Sequence, residues 1–484
     1  MGTTGDLREV RGLTCRGGSE PSGGHRESAA LATGAGAAWF IAAIPLAIAV
    51  ANCVKKLAQL SDSARLLGNL NTFRDAAIAV SAGRDPYQSG IGQYVYPPLL
   101  AFLGQPLGWV SLREAGVLML AVNLALSATT IWALASTLVD RVAGRKLGVT
   151  AAQVAALAAW LSVDSIRSEF NQWETNILML LMFALGLRWA ERRPALAGAA
   201  LGFAFNIKFL PVVLVPLLIA RRKWAVLGAF AAFSVGFAML PAASMGWRAN
   251  AEALAKSYSG IARLLGLPAV SSGAAHVLPF TDDRSVSLPS AIGRTLGWGE
   301  AGSMVLAGSV GLIVVAAWLA RYPRSRRPSG VPLEGCGTDE GWAVSASGMF
   351  AVEWVATMVL ALVFSPYTNT GHLYLLLAAN ALAAVLVLGG VEGIRRWPVA
   401  AGCAAVLLGN VLPPGGKALE WADRAWHHVS GPSACMLVMV AGLIASGAAS
   451  ARREGARETA DTDADRVESL TLAATESRVR SKAS

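Results

Sequence analysis

The chain has 484 residues, of which 54% are hydrophobic and 15% charged, and carries a formal net charge of +10. A soluble chain of this length carries roughly 25% charged residues. The composition therefore excludes an ordinary soluble domain and indicates a polytopic membrane protein built from apolar runs of about 20 residues. Its basic residues sit in short loops between those runs, as the positive-inside rule expects, and not in a stripe with interleaved aromatics, so nucleic acid is set aside as a partner.

Residues 1–36 are rich in Gly and Ser with several arginines, and are expected to be a disordered cytoplasmic segment. The first span covers 37–54. The following Cys53-Val54-Lys55-Lys56 is not a small-residue cleavage site, so the span is read as an uncleaved helix. Arg8, Arg11, Arg16 and Arg26 before it place the N-terminus inside and the loop to Tyr96 outside. Residues 97–112 are apolar but short and interrupted by Pro106, which suits a re-entrant segment. Spans follow over 115–139, 148–163 and 175–190. The run 194–220 has Arg192 and Arg193 before it and Arg221, Arg222 and Lys223 after it. Basic residues at both ends predict a helical hairpin with its tip near Lys208.

A span over 224–243 leads to a large outer loop, 244–300. Further spans cover 301–320, 342–364, 372–390, 398–411 and 433–449, and the tail 450–484 is charged and expected to be disordered in the cytoplasm. The expectation is an all-α membrane domain over 37–449 with about twelve crossings. It places the first loop, 164–176, the Lys208 tip, the loop around Arg284 and the turn 365–372 on one outer face. The five cysteines form no CxxC pair and define neither a disulfide framework nor a zinc site.

These loops hold the residues with chemistry to offer. The first carries Asp62, Arg74, Asp75, Arg84, Asp85, Tyr87, Tyr94 and Tyr96; the bland reading is a solvated loop with an amphipathic helix near 72–82. The second, from Arg167 to Asn176, includes Glu169 and Glu174 and reads equally as helix capping or as a ligand site. A lysine at position 208, inside an apolar run, costs on the order of 2.5–3.5 kcal/mol at a helix centre unless it snorkels or finds an anion. Glu353, also inside a span, is either a protonated acid or the partner of a buried base. The loop Thr281–Ser287 and the turn Ser365-Pro366-Tyr367-Thr368-Asn369-Thr370-Gly371-His372 complete the set.

In this order the clusters resemble glycosyltransferase family 87 of the GT-C superfamily. The resemblance rests on Ala76-Ala77, Gly83, Asp85-Pro86-Tyr87, Tyr96-Pro97-Pro98, Ala197-Gly198, Lys208-Phe209-Leu210-Pro211, and Ser365-Pro366 with His372, over roughly residues 37–410. The family's Gly-Gln-x-Asn looks like Trp173-Glu174-Thr175-Asn176, with only the Asn retained, and its outer-loop Asp falls on Asn69. Its Asn-x-Ser loop is loosely echoed by Asp283-Arg284-Ser285.

The resemblance implies a GT-C-like enzyme of the plasma membrane with an extracytoplasmic active face. It would move a hexose, best known as mannose, from a polyprenyl-phosphate donor to a lipid or glycan hydroxyl by inverting displacement, with no cofactor and no metal. With an amide at Asn69, which would line the substrate site, either a neighbouring acid, Asp75 or Asp62, takes the base role or the chain has diverged in activity; the base role is given to Asp75, assisted by His372. Lys208, Arg284 and Arg167 would hold the phosphate, and Tyr96, Glu174 and Asn176 would line the sugar site. The rival readings are a secondary transporter or flippase of lipid-linked sugars, with polar groups near the bilayer midplane, and a noncatalytic relative that binds such lipids.

Overall fold

The computed structural model describes residues 24–59, 68–88, 94–143, 149–264, 281–282, 284–321, 346–389, 396–411, 421, 425–426, 428–429 and 431–443. Among them every regular element is a helix, with no strand. The helices are α1 (Gly24–Ala58), α2 (Asn69–Ser81), α3 (Pro98–Leu103), α4 (Gln105–Gly108), α5 (Leu112–Leu138), α6 (Ala151–Leu161), α7 (Val163–Gln172), α8 (Asn176–Trp189) and α9 (Pro194–Phe205). After a 3-10 turn at Leu210–Leu214 come α10 (Val215–Ala220), α11 (Trp224–Met239), α12 (Ala242–Met245), α13 (Trp247–Leu264), α14 (Leu288–Leu296), α15 (Glu300–Arg321), α16 (Ala346–Phe364), α17 (Leu376–Leu388) and α18 (Arg396–Val411). The protein is an all-α membrane protein. Among the described residues, five helical stretches are long and apolar enough to cross a bilayer, including 35–58, 112–142 and 224–245.

Two differences from the sequence reading have local causes. Helix α1 begins at Gly24, inside the segment expected to be disordered, because the Ala-rich stretch Ser28–Ala38 favours helix and runs straight into the span. The apolar run 97–112 is split into α3 and α4 around Gly104. Pro106 lacks the N–H that a continuous helix would donate to the carbonyl four residues earlier, and its ring crowds that carbonyl. The tail 450–484 lies outside the described residues, as do Asp62 and Asp283.

The hairpin expected at 194–220 is present. A Cβ on Gly198 would lie 2.6 Å from Phe230 N, and one on Gly202 would lie 2.8 Å from Ser234 N. The same offset at both glycines shows that α9 and α11 run parallel with their backbones in contact, so the chain between them must turn back. Asn206 makes that turn: its Nδ2 donates to Gly202 O and to Ser234 O, each at 2.9 Å.

The charges at the other end of this layer pair with one another. Arg141 meets Glu191 at 3.3 Å, Lys223 meets Glu191 at 3.8 Å, and Arg141 also donates to Ser347. Arg221 grips both carboxylate oxygens of Glu353, which settles that buried glutamate as the partner of a base. The loops holding Arg141, Glu191, Arg221 and Ser347 therefore share one end of the bundle, as their basic flanks predict. Lys208 and the turn 365–372 lie at the opposite end.

Candidate active site

The site forms where the short amphipathic helix α7 ends. Ile166, Glu169 and Phe170 form its buried face at i, i+3 and i+4 spacing. The helix stops at Trp173, whose φ of 56° is left-handed. That conformation ordinarily belongs to glycine. The indole offsets the strain by complete burial among Leu57, Leu70, Leu107 and Ala115. The consequence is a sharp reversal that aims Glu174 and Asn176 at the same space that Glu169 faces.

Four hydrogen bonds fix the Asn176 side chain and its neighbour Glu169. Nδ2 donates to Glu169 Oε2 at 2.8 Å and to Gly371 O at 3.0 Å. Oδ1 accepts from Lys208 Nζ at 2.7 Å. The second oxygen of Glu169 accepts from Ile177 N at 3.0 Å, in the first turn of α8. Each amide atom of Asn176 thus has one role, and the amide orientation is determined by its partners.

Glu174 is held from three sides. Asn69 Nδ2 donates to Oε1 at 3.0 Å, Tyr96 OH donates to Oε2 at 3.2 Å, and Lys208 Nζ lies 3.6 Å from Oε2. The lysine ammonium also sits over the Tyr96 ring, 5.3 Å from its centroid. Tyr96 packs edge-on against Phe73 of α2 and beside Tyr94. Burial, reinforced by the charge of Glu174, pushes the Tyr96 phenol well up, so it remains a neutral donor. Gly371 lets the 365–372 turn close on the cluster, since a Cβ there would meet Asn369 Oδ1 at 3.2 Å and Glu174 Cγ at 3.3 Å.

His372 belongs to the same turn. Its Nδ1 accepts from Asn369 N at 3.1 Å, which leaves Nε2 as the donor nitrogen of a neutral ring. Tyr367, in the same turn, is within electrostatic reach of Asp282, Arg284 and Glu174. Its phenol is pushed up to about 12, by burial first and then by Asp282, with Glu174 adding a smaller push. The turn is also pinned to the 284–290 segment, where Val286 N donates to Thr368 O at 2.6 Å and Ser290 Oγ donates to Pro366 O at 3.0 Å.

The structure therefore brings together Asn69, Tyr96, Glu174, Asn176, Lys208 and His372. It does not bring Asp75 or Arg167 into contact with them. Asp75 is half-buried on α2, six residues after Asn69. A helix turns about 100° per residue, so six residues set it roughly 120° away from the face Asn69 presents. Among the described residues Asp75 has no ion-pair or hydrogen-bond partner. Arg167 is exposed on the far side of α7 from Glu169 and pairs with Asp164 at 3.2 Å. Arg284 forms an exposed bidentate pair with Asp282, both bonds at 2.9 Å.

Sequence reasoning gave no role to Glu169 or to the Gly371 carbonyl. The signal for Glu169 was an acid on the apolar face of an amphipathic helix. The Gly371 carbonyl left no sequence signal.

The fold and these contacts define the class: an all-α membrane protein with a carboxylate, an amide and an ammonium in mutual contact at one end of its helical body. The sequence model of glycosyltransferase family 87 matches residues 94–334, about half the chain, including Tyr96, Glu174, Asn176 and Lys208. The chain belongs to glycosyltransferase family 87. No curated protein matches the sequence.

Proposed function

We propose that the protein transfers a hexose, in the simplest case mannose, from a polyprenyl-phosphate donor to a hydroxyl of a lipid or glycan acceptor. The reaction takes place at the site end of the bundle, the extracytoplasmic face of the plasma membrane if the basic end is inside. In the step itself, the acceptor oxygen attacks the anomeric carbon from the face opposite the phosphate. The bond from that carbon to the phosphate oxygen breaks, and the lipid monophosphate leaves with both electrons. The proton of the acceptor hydroxyl must go to a carboxylate, which contributes typically about 10²–10⁴-fold. The charge on the departing phosphate must meet fixed positive charge.

The observation that carries this reading is the buried contact of Glu174 with Lys208, Tyr96 and Asn69 in a family 87 chain. It favours Glu174 over Asp75 as the proton acceptor. The resemblance sets an acid at position 69 and an amide at 174, and this chain holds an amide at 69 and an acid at 174. The two side chains touch, so the exchange keeps one carboxylate in the same place. Lys208 takes the phosphate, His372 donates through Nε2 to the phosphate or acceptor, and Asn176 orients Lys208. Arg284 and Arg167 lie farther out and act at most on the incoming headgroup.

Membranes containing wild type, Glu174→Gln, Lys208→Met or Asp75→Asn protein at matched expression are given labelled polyprenyl-phosphate mannose. Transfer lost in the first two variants and retained in Asp75→Asn supports the assignment. Transfer lost in Asp75→Asn and kept in Glu174→Gln returns the base role to Asp75. Passage of the lipid-linked sugar across proteoliposomes, with no glycosidic bond formed, favours a transporter.

A further inference from the structure

The two charged groups assigned to the reaction occupy one another. Lys208 Nζ has Asn176 Oδ1 at 2.7 Å, Glu174 Oε2 at 3.6 Å and the Tyr96 ring beneath it. Glu174 is nearly fully buried, and its oxygens face Asn69, Tyr96 and Lys208. An ammonium already beside a carboxylate attracts a phosphate less strongly than a free one, and a carboxylate facing an ammonium is turned away from an incoming hydroxyl. In this arrangement each group is taken up by the other.

The distances show which of the two contacts can yield. The contact to Asn176 is a short hydrogen bond, and Asn176 is itself locked by Glu169 and Gly371. The contact to Glu174 exceeds hydrogen-bond length and acts through charge alone. Glu174 also keeps two other donors, Asn69 and Tyr96, if Lys208 leaves it. The ammonium can therefore exchange one anion for another while Asn176 continues to hold it.

We infer that the phosphate of the lipid donor displaces Glu174 from Lys208, so that donor binding itself frees the carboxylate that takes the proton. This rests on the functional reading above and adds an order to it: without donor, the base is masked. A free acceptor then meets a neutralised site. No covalent bond changes in the exchange, since one anion replaces another at the same ammonium.

The test is binding, not turnover. The probe is polyprenyl monophosphate without a sugar, titrated against the purified full chain in nanodiscs. Glu174→Gln removes the competing charge with little change of shape and is expected to bind the probe about tenfold tighter than wild type. Lys208→Met is expected to lose binding, and Glu174→Gln/Lys208→Met to lose the gain. Equal or weaker binding by Glu174→Gln, a gain that persists without Lys208, or no binding by either wild type or Glu174→Gln overturns the inference. Melting curves of each variant verify that it is folded. Sugar transfer is measured separately: tighter binding with transfer intact in Glu174→Gln leaves the exchange standing and removes Glu174 as the base.

Discussion

The contact between Asn69 and Glu174 makes a quantitative prediction about exchanging them. Glu174→Gln alone removes the carboxylate, and its expected cost in transfer is about 10³-fold, within the range for a general base. Asn69→Asp alone sets a second carboxylate where an amide now donates at 3.0 Å. Two unit charges about 4 Å apart at an effective dielectric near 20 repel by about 4 kcal/mol, so one acid of the pair holds a proton at neutral pH. Lys208 still neutralises the other, and the expected loss is about tenfold. The double variant Asn69→Asp/Glu174→Gln restores the charge count and reverses the hydrogen bond, with the Gln amide donating to Asp. Independent effects would leave it about tenfold worse than Glu174→Gln. A coupled pair should instead leave it about tenfold better, a hundredfold difference or about 2.7 kcal/mol of coupling. The assay is transfer of labelled sugar from the lipid donor in membranes at matched expression. A double variant no more active than Glu174→Gln refutes the idea that the two positions share one carboxylate.

Other outcomes follow from the same contacts. Lys208→Met should reduce transfer by at least about 10²-fold and lower stability by about 3 kcal/mol, because Glu174 is left as a buried charge without its cation; thermal melting in detergent reads the second effect. At the basic end, Arg221→Met should destabilise by about 2 kcal/mol, discounted for the partial exposure of the arginine, whereas Arg221→Met/Glu353→Leu should melt close to wild type. Burial, and after it the charge of Glu174, holds the Glu169 carboxyl above its ordinary value. An acid raised in the folded state contributes stability that is full below the ordinary carboxylate range and is lost as pH rises through the raised value. The melting temperature should therefore decline across that window, and Glu169→Gln should flatten the profile.

The chain was legible where charge and hydropathy alone decide the outcome. Arg192, Arg193 and the run Arg221–Lys223 bracket an apolar stretch with a lysine in its middle, and only a hairpin satisfies both facts. The alternation of basic and polar loops likewise placed Tyr96, Asn176, Lys208 and His372 at one end. Helix phase and backbone strain were not legible. Asp75 is the nearest acid to Asn69 in sequence, but the turn of α2 carries it off the face that Asn69 presents. The acid that does meet Asn69 is 105 residues away. Its approach depends on a tryptophan in a conformation that residue type seldom adopts, and sequence patterns carry no sign of that.

The hairpin also hangs the lysine on its neighbours. Helix α9 has 12 residues, so it climbs about 18 Å, against a hydrocarbon slab about 30 Å thick. A helix that short does not cross the slab by itself; its bearing comes from α11, against whose backbone Gly198 and Gly202 press it. A bulkier residue at either glycine would wedge the two helices apart and carry off Asn206, and with it the lysine two residues on.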